Sequence, residues 1–361
     1  MRPTDSAPSG ANDPDPRYER DLVAMRRAIV LAGAVRATTS PNPWVGCVIV
    51  PEDSVGLHQS GTWFEGATSP PGGPHAEATA LVAAGDRARG STLYTTLEPC
   101  PHQGRTGPCT DAIVANGISR VVVGVLDPDP SVAGRGVDLL RQAGIEVTVG
   151  MASAEVEEQL AAYLTHRRTG RPLVVLKLAA TMDGRIAAPD GSSRWITGPE
   201  ARDDAHELRR ISDAVLVGAA TVRSDDPELT VRTEPVPSHQ PLRVVLGTAP
   251  EGSRVLPAVE LSGEPGDVLD ELGGRGVLQL LVEGGARVAA EFHRARVVDR
   301  YVLYFAPALF GGNDAIPLFA GTGAGTMDQL WRGRVVSVDR LGDDVRIELA
   351  PKERELSTRA A

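Results

Sequence analysis

Cysteine is scarce in this chain. Three among 361 residues, with no paired spacing, do not make the disulfide framework of a small secreted domain, and free thiols suit a reducing compartment. Aromatic residues are also few, at 4%, although 42% hydrophobic content is ample for buried cores. There is no basic excess: the formal net charge of −10 argues against the positive footprint of a nucleic-acid binder. No apolar run approaches the ~18 residues of a membrane span, and the opening Met1-Arg2-Pro3-Thr4-Asp5-Ser6 has no apolar signal core. Internal repeats are absent as well. These absences lead us to expect a cytoplasmic protein with neither nucleic acid nor membrane as a partner.

What the chain does have is length for two domains of ~100–200 residues each. Residues 1–16, rich in Pro, Ser, Asp and Gly, are expected to form a disordered tail, as are 353–361. Helical periodicity starts at Tyr18 and runs to about Val35. Strands are expected at 45–50, 55–61, 92–97, 120–125 and 145–149, with helices at 75–84, 110–116 and 136–143. Such alternation predicts a mostly parallel sheet covered on both faces, complete as a first α/β domain over 17–150. Ser153 caps a connecting helix within 151–170, closed by Gly170-Arg171-Pro172. A second α/β series fills 171–352, with strands at 173–180, 214–218, 243–247, 277–282, 297–305, 334–338 and 345–349. Its helices start at Pro199 and near Gly284.

Chemistry concentrates in Pro74-His75-Ala76-Glu77, followed by Glu98-Pro99-Cys100 and Pro108-Cys109. One imidazole and two thiols make three metal ligands and leave a fourth tetrahedral position open, the arrangement of catalytic zinc. Glu77 lies two residues beyond the His, placed to move protons rather than bind metal. The order H-x-E then P-C…C is the pattern of zinc nucleobase deaminases. Local structure agrees, because Pro74 precedes a helix that puts His75 and Glu77 in its first turn. There, free N–H groups and the dipole face the site. Cys100 follows the carboxyl end of a strand, and Cys109 opens a second helix. A helix start and a metal both favour thiolate. The bland alternative is a closed zinc knuckle with His102 as fourth ligand. Cys47, inside an apolar strand, reads as core.

In the second half, Leu280-Leu281-Val282-Glu283-Gly284-Gly285-Ala286 reads as strand, glycine turn and helix start. Such a start can bind phosphate or be a plain tight turn. Gly321-Thr322-Gly323-Ala324-Gly325 lacks a flanking βαβ unit and reads as a loop. Arg209 and Arg210 lie on a predicted helix, where a solvated charged face is the usual explanation.

Together these residues resemble the bifunctional riboflavin-biosynthesis deaminase–reductase family over roughly 17–350. In the first half the resemblance rests on Ser40-Pro41-Asn42-Pro43, the His75 motif, and Thr96-Leu97-Glu98-Pro99-Cys100 running into Gly104-Arg105-Thr106-Gly107-Pro108-Cys109. In the second it rests on Lys177-Leu178-Ala179-Ala180-Thr181-Met182-Asp183-Gly184-Arg185, Trp195-Ile196-Thr197, Ala220-Thr221-Val222 with Asp225-Asp226-Pro227, Leu229-Thr230-Val231-Arg232, and Val282-Glu283-Gly284-Gly285. The wide C-x8-C spacing separates this branch from deaminases with C-x2-C. Where many members carry a second His after the zinc Cys, this chain has Gln103. Its segment from Thr248 to Glu283 is also shorter than usual.

The resemblance implies an α/β fold in two domains. One is a cytidine-deaminase-like three-layer α/β/α domain and the other a dihydrofolate-reductase-like α/β domain. It implies zinc on His75, Cys100 and Cys109 with Glu77 as catalytic acid–base, and removal of the 2-amino group of a diaminopyrimidinone ribosylamino 5′-phosphate. NADPH-dependent reduction of the ribosyl to a ribityl chain would follow. By similarity Asn42 contacts the deaminase substrate. Ala179, Trp195, Thr221, Asp225, Thr248, Gly285, Ala286 and Arg287 face the cofactor. Ser193, Arg209, Leu229, Arg232 and Glu283 face the reductase substrate, and the two arginines suit a 5′-phosphate because the guanidinium fork matches its oxygens. A homo-oligomer is expected by analogy. The competing readings are a nucleotide or tRNA-type deaminase with an accessory domain, and a zinc-stabilised binding module without activity. The acidic charge and the matched second half disfavour the first, and Glu77 disfavours the second.

Overall fold

The computed structural model describes residues 16–53, 63–103, 107–232 and 240–352. The strand expected at 55–61 and the tails at 1–15 and 353–361 lie outside them, and residue 16 already opens the first helix. Two compact units form. One takes the chain up to Val35 together with Trp44–Gln159, and the other takes Arg36–Pro43 and everything from Leu160 onward.

The first unit begins with α1 (Pro16–Thr39). Its Asp21, Ala24, Met25, Ala28 and Ala32 are all buried, and their three- and four-residue steps make one inward stripe. Small residues let β1 (Gly46–Val50) lie very close. A Cβ on Gly46 would stand 1.9 Å from the Ala28 carbonyl oxygen, so no other residue fits there. β2 (Phe64–Ala67), α2 (Ala76–Ala84), β3 (Thr92–Leu97), α3 (Cys109–Ala115), β4 (Arg120–Val125), α4 (Arg135–Gln142), β5 (Glu146–Val149) and α5 (Ser153–Gln159) follow. The sheet order is β2-β1-β3-β4-β5. β3, β4 and β5 are parallel, but β1 is antiparallel to both β2 and β3. The expected mostly parallel sheet therefore holds only for its second half. Buried on one edge of this core, Asp21 accepts two bonds from Arg120 at 2.9 and 2.6 Å and one from the Tyr94 hydroxyl at 2.7 Å, fastening α1 to β3 and β4.

The connecting helix is broken. α5 stops at Gln159 and α6 (Ala161–Thr169) starts after fully buried Leu160. The second unit continues through β6 (Leu173–Thr181), β7 (Arg185–Ala187), α7 (Pro199–Arg210), β8 (Ala214–Gly218), α8 (Ala219–Asp225), β9 (Leu242–Leu246), β10 (Val259–Leu261), α9 (Pro265–Gly274), β11 (Gln279–Val282), α10 (Ala286–Arg294), β12 (Arg300–Ala306), β13 (Ile316–Pro317), β14 (Gly333–Leu341) and β15 (Asp344–Pro351). Its main sheet runs β10-β9-β8-β11-β6-β12-β15-β14. The strands from β10 to β12 are parallel, and β15 and β14 add antiparallel. Central strands such as Ala214–Gly218 are buried along their whole length, as a sheet covered on both faces requires. The short segment after Thr248 is not structureless, since it holds β10 and α9. Among the described residues no helix is long and apolar enough to cross a membrane.

Candidate active site

His75 is the cap residue of α2, extended at φ −75° and ψ 164°, and Glu77 is buried in the first turn of that helix. Cys100 follows β3, and Cys109 is the first residue of α3. The Cys100 and Cys109 sulfurs lie 3.5 and 3.3 Å from His75 Nδ1. All three ligand atoms fall within 4.8 Å of one another. Around a tetrahedral zinc with bonds of about 2.0–2.3 Å, ligands are separated by about 3.3–3.8 Å. The set therefore fits zinc in both chemistry and spacing. Exposed His102 stands outside this group, so among the described residues no closed four-ligand knuckle is assembled.

Glu77 stands beside the ligands without joining them. Its Oε2 accepts from the Cys109 thiol at 3.5 Å. Burial, and next the charge on Cys100, push its carboxyl up to about 7. The bond from Cys109, helped by His75, pulls the Cys100 thiol well below its ordinary value. Cys109 is pushed far up by the Cys100 thiolate and by burial. A metal removes that proton, since a coordinating thiol is deprotonated outright. The arrangement can thus hold a dication on two thiolates and one imidazole, next to a carboxyl able to take or give a proton near neutrality. Cys47 is fully buried, as expected of core. Asn42 lies in the turn after α1, where its N–H donates to the Thr39 carbonyl, and falls in the segment that clusters with the second unit.

In the second unit several of the expected residues converge and others do not. Arg209, near the end of α7, forks onto Glu283 after β11 at 2.5 and 2.9 Å, and its third nitrogen donates to the Thr230 carbonyl. Burial alone would raise Glu283, but Arg209 and then Lys177 outweigh it and hold the carboxyl below its ordinary value. Lys177 Nζ, on β6, is 4.0 Å from Glu283, and burial lowers its own pKa. This lysine was missed as a site residue, and the available signal was a lone cation inside an apolar strand. Two cations share one carboxylate here, so the cluster favours an anionic ligand. Leu229 is buried at φ 55°, a left-handed conformation unusual for leucine. Arg232 is exposed and pairs with Glu228 at 3.2 Å. Burial first, then the charges of Arg209 and Arg232, hold the half-buried His206 imidazole below its ordinary value.

Of the expected cofactor residues, two groups are linked in space. Gly285 caps α10, and a Cβ there would meet the Thr221 hydroxyl at 3.4 Å, so the α10 start and Thr221 on α8 face one place. Ala286 is buried in that first turn, and Arg287 is exposed. Arg194 donates to the Asp225 carbonyl at 2.5 Å, tying the stretch that holds half-buried Ser193 and exposed Trp195 to the end of α8. Trp195 is 71% exposed, its ring covered on one face by the Arg202 guanidinium at 4.6 Å. Ala179 pairs with Tyr304 between β6 and β12. Thr248 is exposed in the turn after β9. A glycine-bounded helix start, an open indole and a hydroxyl suit a phosphate-bearing dinucleotide.

Residues 18–125 match the family described as cytidine and deoxycytidylate deaminase zinc-binding region, and 172–347 match the RibD C-terminal domain. Over 360 residues the chain is 39% identical to riboflavin biosynthesis protein RibD of Aquifex aeolicus (strain VF5), covering 91% of this chain and 97% of that protein. The chain belongs to the RibD family. RibD of Escherichia coli (strain K12) is 36% identical, with 91% and 99% covered. The solved structure of Acinetobacter baumannii RibD, form 1, superposes with a TM-score of 0.85 at 36% identity, covering 93% of this chain and 100% of that one. A Thermotoga maritima structure, described as a diaminohydroxyphosphoribosylaminopyrimidine deaminase/5-amino-6-(5-phosphoribosylamino)uracil reductase, gives 0.83 at 34% identity, with 93% and 99% covered. As a RibD-family protein this chain is a deaminase fused to a reductase in riboflavin biosynthesis. Its first domain is of the zinc-binding deaminase type and its second an NADPH-using reductase.

Proposed function

We propose that residues 17–150 deaminate 2,5-diamino-6-(ribosylamino)-4(3H)-pyrimidinone 5′-phosphate and that residues 171–352 then reduce the ribosyl group to ribityl. The observation that carries the first step is the His75, Cys100 and Cys109 set beside an unligated, buried Glu77. Zinc, when bound there, supplies the Lewis acidity that brings a water towards neutral pKa. Glu77 Oε2 takes a proton and delivers protons to the ring nitrogen and to the leaving amine, a role suited to a carboxyl poised near 7. The α2 and α3 starts orient the three ligands, and Asn42 contacts the substrate.

For the second step NADPH supplies a hydride. Ala179, Trp195, Thr221, Asp225, Thr248 and the α10 start from Gly285 to Arg287 hold the cofactor. Ser193, Leu229, Arg232 and Glu283 face the substrate. Arg209 has all three nitrogens engaged, so it contributes charge and fixes Glu283, while exposed Arg232 is left to grip the phosphate. Lys177 is the neighbouring group able to hold or give a proton. The enzyme works in the cytoplasm as a homo-oligomer, with no nucleic-acid or membrane partner. Zinc content with ammonia release from the pyrimidine, followed by NADPH oxidation, tests both steps. A zinc-loaded protein that releases no ammonia, or a metal-free one that still releases it, would sink the first, and absent NADPH oxidation the second.

A further inference from the structure

We infer that Glu98 is a positioning residue for the zinc ligand Cys100, acting from beneath through the start of α4. Glu98 is buried, with 3% of its surface exposed, and it directly follows Leu97, the last residue of β3, with Pro99 and Cys100 next. Its Oε2 accepts from the backbone N–H of Asp127 at 3.2 Å and of Gly134 at 2.9 Å, and its Oε1 from Val137 at 3.2 Å. Its own N–H donates to the Val125 carbonyl at 3.0 Å. One carboxylate thus joins the end of β3, the exit of β4 and the first turn of α4. Bonds from N–H groups to an ionised acceptor are among the stronger ones, and a helix start favours the negative charge.

The contact continues along the chain towards the metal ligand. A Cβ on Gly136 would lie 2.1 Å from the Pro99 carbonyl oxygen, so the first turn of α4 abuts the peptide that leads into Cys100. On the other side, the Cys100 carbonyl accepts from the Thr110 N–H at 3.3 Å, at the start of α3. The Cys100 backbone is therefore set between two helix starts, one carrying Cys109 and the other held by Glu98. Residues that orient a metal ligand typically change metal affinity or activity by roughly 10–100-fold when altered.

The inference rests on the zinc reading proposed above, so the test measures zinc itself. The zinc dissociation constant of the full-length chain is obtained by competition with a chelator of known affinity, for the wild type, E98Q and D21N. Asp21 lies in the buried Arg120 and Tyr94 cluster, so D21N controls for a general loss of stability. E98Q keeps the side-chain shape but replaces one acceptor oxygen with a donor. We expect it to weaken zinc by roughly 10–100-fold, and to alter the thiolate-to-metal absorption of the cobalt(II)-loaded protein, with D21N unchanged in both. Unchanged zinc affinity in E98Q, or an equal loss in D21N, would overturn the role of Glu98 and leave the zinc reading standing. A wild-type chain that binds no zinc would overturn both. Where E98Q does not fold, E98D, which keeps the carboxylate but shortens its reach to the Gly134 and Val137 N–H groups, decides the matter by the same comparison.

Discussion

Arg209 and Glu283, 74 positions apart, meet as a two-pronged ion pair in which Nε and one terminal nitrogen each take a carboxylate oxygen. Arg232, the other arginine expected to face the substrate, is exposed and paired with Glu228. The two should therefore respond differently to truncation. Removing one member of a buried pair leaves an uncompensated charge and costs about 3–5 kcal/mol, so Arg209→Ala should lower the unfolding midpoint. Arg232→Ala should leave stability almost unchanged. It should weaken substrate binding by about 2–5 kcal/mol with NADPH affinity intact. Thermal scans beside substrate and NADPH titrations separate these outcomes, and a loss of NADPH affinity in Arg232→Ala would reverse the roles.

The same pair sets a pH dependence. Arg209 and Lys177 hold the folded Glu283 carboxyl below its ordinary value despite burial. Its stabilisation is then fully present above the unfolded glutamate pKa of about 4.3 and is lost as pH falls through the lower folded value. Wild type and Glu283→Gln should differ most in urea midpoint near pH 7 and converge in acid, below the folded pKa. A gap that stayed constant with pH would mean that Glu283 is not ionised in the folded protein.

Cys109→Ala should lose zinc and ammonia release together. The variant removes one of the three ligand atoms. Metal analysis by mass spectrometry beside an ammonia assay checks this, and full zinc with full activity would exclude Cys109 as a ligand.

Glu77→Ala should keep zinc yet release ammonia about 10²–10⁴-fold more slowly, the usual contribution of general acid–base catalysis. Supplied with the already deaminated intermediate, the same variant should oxidise NADPH at the wild-type rate. Given the undeaminated substrate it should stall. Loss of reduction with the supplied intermediate would show that Glu77 serves more than the zinc site.

Much of the zinc site was legible because its chemistry lies in residue type and short-range order. His75 and Glu77 are neighbours on one helical turn, and the Thr92–Leu97 strand that aims Cys100 is bounded by glycine on one side and Glu-Pro on the other. Strand direction was not legible. Periodicity reports which face is buried, and β1 carries the same apolar run whether parallel or antiparallel. α9 escaped because its glycines hide the pattern, although Pro265 at its start and buried Val268, Leu269 and Leu272 mark it in the structure. The Arg209 fork escaped for another reason. A solvated charged face is the ordinary fate of a helical arginine, and its partner lies in a distant strand loop.

The chain does not pass from one compact unit to the other only once. It leaves the first after Val35, returns at Trp44, and leaves again after Gln159. A gene divided at that last point would encode a first fragment carrying Arg36–Pro43, a stretch whose neighbours belong to the second fragment. Arg36, for instance, hydrogen-bonds the side chain of Gln279. Two activities expected to separate at a single side chain should thus not separate by a single cut, and each half-length product would inherit an unfinished surface.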